Sequence, residues 1–112
     1  MKNARQRALR PNKRRLQELV EEAIVDAYNE SEQRTAFFTM MAENLELPFE
    51  TVVLGIKVTI ERVDMNVDDE IVVICRHGRK RQALPVLEIP LPKQRIGGAE
   101  WIEAYRYWKR GR

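Results

Sequence analysis

Pro48-Phe49-Glu50-Thr51-Val52-Val53-Leu54-Gly55-Ile56-Lys57-Val58-Thr59-Ile60-Glu61 decides the fold, because the apolar period changes there from that of a helix to that of a strand. Val52, Leu54, Ile56, Val58 and Ile60 alternate with Val53, Gly55, Lys57, Thr59 and Glu61. Successive side chains of a strand point to opposite faces, so this alternation predicts a half-buried strand over 52–61. Pro48 closes what comes before, since the residue preceding a proline is pushed out of the helical region.

Upstream of it the period is helical. Leu16, Leu19, Val20, Ala23, Ile24, Ala27 and Tyr28 recur at three- and four-residue steps, with Gln17, Glu18, Glu21 and Glu22 on the opposite face. This predicts an amphipathic helix running to Tyr28. Asn29-Glu30-Ser31 reads as a turn with Ser31 as N-cap of a second helix, whose stripe is Ala36, Phe37, Met40, Met41 and Leu45. Two helices so closely joined form an antiparallel hairpin. Downstream, a polar turn over Asp64–Asp69 leads to a buried strand, Ile71–Cys75, and His77-Gly78 turns the chain into a third strand near 82–84. After Pro85, Pro90, Pro92 and Gly97-Gly98, the residues Trp101, Ile102, Tyr105 and Trp108 mark an aromatic C-terminal helix. Helices, then strands, then a helix predict an α+β domain.

At 112 residues the chain holds one modest core. Residues 1–12 are expected to be a basic flexible arm and 13–112 a single domain, with the helical hairpin at 13–47 and the last helix at 98–110. No run of 18 apolar residues or secretory leader pattern is present, so neither a membrane span nor secretion is expected. Cys75 is the only cysteine, which excludes an internal disulfide and favours a cytoplasmic setting. No phosphate-cradling loop, nucleophile elbow or dinucleotide fingerprint occurs, so neither an enzyme nor an organic cofactor is expected. Cys75 and His77 are too few to make a zinc site and read as a buried strand cysteine and a turn histidine.

The charges are sorted along the chain. Residues 1–15 carry seven bases and no acid, whereas residues 16–50 carry nine acids against Arg34 alone. Beyond residue 70 there are ten bases and three acids. An acidic middle attracts cations and basic ends attract polyanions. Within the acidic block, Asp26, Glu30 and Glu32 converge on one end of the expected hairpin. Hard cations such as Ca²⁺ take carboxylates, carbonyls and water, and the end of a helix offers free carbonyls and partial negative charge. Equally, Glu30 and Glu32 could serve only the N-terminus of the second helix, with Asp26 left in solvent. Asp64, Asn66 and Asp68 match the first half of an EF-hand loop. Asp69 stands where that loop needs Gly, and Cys75 where it needs Glu, so these three are secondary candidates beside a plain polar turn.

The segment Val25-Asp26-Ala27-Tyr28-Asn29-Glu30-Ser31-Glu32-Gln33, with Phe37-Phe38, Pro48-Phe49, Gly78-Arg79 through Leu84-Pro85, and Trp101 to Trp108, resembles the CcbP-like calcium-binding family. That family, first recognised in cyanobacteria, binds calcium without EF-hands. The resemblance covers residues 20 to 110. It implies a helical hairpin packed on a small SH3-like β-barrel, here at 50–92, with Asp26, Glu30 and Glu32 carried over as motif positions. It also implies a small cytoplasmic calcium buffer or sensor. The segment between Glu70 and Gln82 is shorter than the family pattern, and the basic arm lies outside it. The competing expectation is a nucleic-acid-binding module using the basic ends, with Arg14, Arg15, Arg79, Lys80 and Arg81 on phosphates. Against it stand the acidic middle and the Trp101–Trp108 stripe, which reads as a face docked on the core. A protein partner for the acidic hairpin is a third expectation, its identity open.

Overall fold

The computed structural model describes residues 10–111. Three helices, α1 (Lys13–Ala23), α2 (Glu30–Asn44) and α3 (Ala99–Arg110), pack beside an antiparallel sheet of β1 (Phe49–Val53), β2 (Ile56–Met65), β3 (Ile71–His77) and β4 (Lys80–Pro85). A 3-10 turn, Val86–Glu88, follows β4. The strands pair in chain order as a meander. Among the described residues β1 and β4 remain the two edges, so the α+β class holds but the expected barrel does not close. The first nine residues of the expected basic arm lie outside the described residues.

The apolar alternation at 52–60 spans not one strand but the hairpin between two. Leu54 and Gly55 both take positive φ, 52° and 80°, and form the two-residue turn that matches the twist of adjacent strands. The turn changes which residues face inward. Phe49 and Thr51 of β1 are buried, whereas Val52, Leu54 and Ile56 stand exposed at the tip. A bulge at Glu61 shifts the phase again, so that Ile60 and Val63, three residues apart, both reach the core. The turn carries Leu-Gly where Asn-Gly or Asp-Gly is the usual signature, and a leucine in a left-handed conformation is uncommon, which is why the sequence pattern alone did not mark a turn here.

α1 is capped by the Asn12 side chain, which accepts the Arg15 N–H at 2.8 Å. It buries Leu19 and Ala23 and ends there, short of the expected Tyr28. Beyond Ala23, Val25 and Tyr28 point into solvent, so extending the helix through them would bury little more. The core joins these residues to Phe37 and Met41 of α2, Ile60 and Val73 of the sheet, and α3. Trp101, Ile102, Tyr105 and Trp108 all face inward, as their spacing predicted. Phe37, Tyr105 and Trp108 form an aromatic trio with ring centroids 5.3–5.7 Å apart. Gly98 lets α3 start against α2: a Cβ there would lie 2.2 Å from the Asn44 carbonyl oxygen.

Candidate metal centre

The N-terminus of α2 is built by a capping box centred on Asn29, not on Ser31. The Asn29 side chain accepts the Glu32 N–H at 2.8 Å, and the Glu32 carboxylate accepts the backbone N–H of Tyr28 at 2.8 Å and of Asn29 at 3.4 Å. This box requires Asn29 in an extended conformation, so the chain must leave α1 before it. Asp26 therefore sits in the turn after α1, exposed, rather than in its last turn. Glu30 is the first residue of α2, and its carboxylate receives Arg34 Nη2 at 2.9 Å.

The other face of Arg34 meets a residue from a distant turn. Nη1 donates to Asp69 Oδ2 at 3.1 Å, and the same oxygen accepts the Ser31 hydroxyl at 2.9 Å. Arg34 also lies within electrostatic reach of the buried Tyr105 hydroxyl on α3. Its side chain is only 17% exposed. Burial works against the guanidinium charge, but the Tyr105 and Asp69 contacts outweigh it and hold the group above the ordinary arginine range. Burial raises the Tyr105 hydroxyl, and Arg34 opposes that rise.

Asp69 comes from the β2–β3 turn, which organises itself. The Asn66 side-chain oxygen accepts the N–H groups of Asp68 at 2.9 Å and Glu70 at 3.0 Å, and its amide donates to Glu70. That is the local backbone bonding of a polar turn. Asp64 accepts its neighbour Met65 N–H at 2.8 Å, and both Asp64 and Asp68 are exposed. Asp69 takes φ of 64°, the left-handed conformation for which an EF-hand loop uses Gly. The sequence pointed to Asp64, Asn66 and Asp68 in this turn; the fold turns Asp69 toward α2 instead. Its occupation of a glycine position was the one signal that could have found it.

The donors at this end are hard oxygens, the chemistry Ca²⁺ takes. Their arrangement does not fit the ion as it stands. Among the described residues no three Asp, Glu, His or Cys side chains gather as a metal-holding group. The Glu32 carboxylate accepts two backbone N–H groups, and Glu30 and Asp69 close on the Arg34 guanidinium.

The basic candidates stand apart on separate elements. Arg14 and Arg15 open α1, where Arg15 reaches Glu18 and Glu100, each at 3.5 Å. Arg79, Lys80 and Arg81 form the β3–β4 hairpin. Glu61, raised by the β2 bulge, takes Arg76 and Arg81 at 2.7 Å each, and these two hold its carboxylate below the ordinary range. A cavity of about 520 Å³ beside α3 carries Arg10, Arg15, Lys93 and Arg95 but also Glu100 and Glu103. Cys75 is buried, which pushes its thiol up and away from reactivity, while exposed His77 meets the Lys57 carbonyl at 3.3 Å.

A family model described as calcium binding, Calci_bind_CcbP, matches residues 17–109. The crystal structure of Anabaena CcbP superposes with a TM-score of 0.71 at 16% identity, covering 91% of this chain and 94% of that one. At that identity the likeness speaks for the fold alone. No curated protein matches the chain significantly.

Proposed function

We propose that this chain, which belongs to the CcbP calcium-binding family, binds Ca²⁺ at the acidic end of its helical hairpin. The family is one of binding proteins and not of enzymes. The match over residues 17–109 carries this reading, because it includes both segments that supply the carboxylates. Asp26 and Glu30 are the ligands from the hairpin, with Glu32 beside them, and Asp69 joins them from the β2–β3 turn. Asp64 and Asp68, exposed on that same turn, form a secondary and weaker cation surface with Asn66. The role is that of a cytoplasmic buffer or sensor.

Isothermal titration of chelator-treated protein with Ca²⁺ and with Mg²⁺ tests the reading. Ca²⁺ should bind more tightly, since Mg²⁺ gives up its waters reluctantly, and it should raise the melting temperature by mass action. No heat and no thermal shift at millimolar Ca²⁺ would overturn it.

A further inference from the structure

We propose that the cavity between the N-terminal ends of α1 and α3 is a binding site for a small organic phosphate, with Lys93 and Arg95 on the phosphate group. The segment 91–96 forms one wall of it and is pinned at both ends. Before it, the buried Thr51 hydroxyl donates to the Pro90 carbonyl at 2.5 Å. After it, the Gly97 N–H donates to Glu46 Oε1 at 3.0 Å, and the Glu46 N–H donates to the Gly97 carbonyl at 2.8 Å. A wall held in this way loses little freedom when a ligand arrives, so binding there carries a small ordering cost.

Both acids of the lining are engaged by other cations. Glu103 takes Arg10 and, at 3.3 Å, Arg106, while Glu100 takes Arg15 at 3.5 Å. Lys93 and Arg95 are exposed and have no hydrogen-bond or ion-pair partner among the described residues. Two such cations on one wall suit an oxyanion that accepts several charge-assisted hydrogen bonds, above all a phosphate. The first residues of α3 line the same cavity without a side-chain cap, so the positive end of its dipole adds to the attraction. The volume, about 520 Å³, exceeds what a free phosphate fills and lies within the range of small-molecule sites, roughly 300–1,000 Å³. Leu91 and Ile96, which pack against the core, give the organic part an apolar surface. The cavity lies at the C-terminal end of α2, where Gly98 abuts Asn44, and the acidic hairpin end lies at its N-terminus. The 15 residues of α2 separate the two by about 22 Å, so this site stands independently of the calcium reading.

Isothermal titration of the chelator-treated full chain with adenosine monophosphate, ribose phosphate and adenosine tests this. Both phosphates should bind and adenosine should not; binding of adenosine as tight as that of its phosphate would overturn the proposal. Lys93→Gln with Arg95→Gln should weaken binding of the phosphates at least about tenfold, because two contacting charges are gone. Arg79→Gln with Lys80→Gln removes the same charge from the β3–β4 hairpin and should stay near wild type. Equal losses in the two variants would overturn the site, since the attraction would then be diffuse. So would a failure of both phosphates to bind at millimolar concentration. Should Lys93→Gln with Arg95→Gln not fold, wild type decides: the amide resonances of residues 96–100 should move as adenosine monophosphate is added. Stationary resonances there in the saturated protein would overturn the proposal.

Discussion

Two ion-pair centres in this molecule are mirror images in charge. At the hairpin end one cation, Arg34, is held by two carboxylates, Glu30 and Asp69. At the sheet bulge one carboxylate, Glu61, is held by two cations, Arg76 and Arg81. Both have contacts near 3 Å and both tie together segments distant in sequence. Their stoichiometry sets what each can accept. In these contacts the first sets two negative groups against one positive, and the second two positive against one negative. A cluster of acids in the sequence is therefore not enough to place a metal ion, because the partners brought by the fold decide whether charge is left over.

The largest expected effect comes from emptying the first centre of its acids. Glu30→Gln with Asp69→Asn should abolish most calcium binding. It should also lower stability by about 1–3 kcal/mol in urea unfolding, since Arg34 is left half-satisfied and mostly buried. Unchanged calcium binding would separate the metal from this centre altogether. Asn29→Ala should cost about 1 kcal/mol by opening the capping box, with calcium affinity changed far less than stability. A loss of calcium affinity larger than the loss of stability would make the cap part of the site.

Asp64→Asn with Asp68→Asn should weaken calcium binding only slightly, because both side chains are exposed and Arg34 bonds Asp69 and Glu30 rather than either of them. If this pair proves more damaging than Asp26→Asn with Glu30→Gln, the β2–β3 turn is the principal site. The smallest effect belongs to the second centre. Arg81 and Arg76 hold Glu61 below the ordinary carboxylate value of 4.5. The stabilisation is therefore fully present above that value and is lost as pH falls through the lowered one. Glu61→Gln should flatten that acid limb of the melting-temperature profile and leave calcium affinity unchanged. A wild-type acid limb in this variant would assign the limb to other carboxylates.

The helices were legible in the sequence because burial on one face repeats with the period of the backbone. Leu19, Phe37, Met41 and the Trp101–Trp108 stripe lie where that period put them. The strands were legible as strands but not in phase. Leu54 adopts a turn conformation that leucine seldom takes, and the bulge at Glu61 resets the alternation, so inward and outward faces could not be counted across either point. Where the first helix ended was likewise misread, since the reach of Glu32 back to Tyr28 and Asn29 competes with three further apolar residues.

By itself the sequence determined the order of helices and strands, the concentration of acids between basic ends, and the family to which the chain belongs. These depend on side-chain type and spacing, which are local and periodic. Only the tertiary structure decided that Asp69 rather than Asp64 or Asp68 meets α2, and that Arg34 lies between it and Glu30. Those partners are 35 residues apart, and no periodicity links them. Charge acts across space rather than along the chain, so the net charge of a site is known only when its neighbours are.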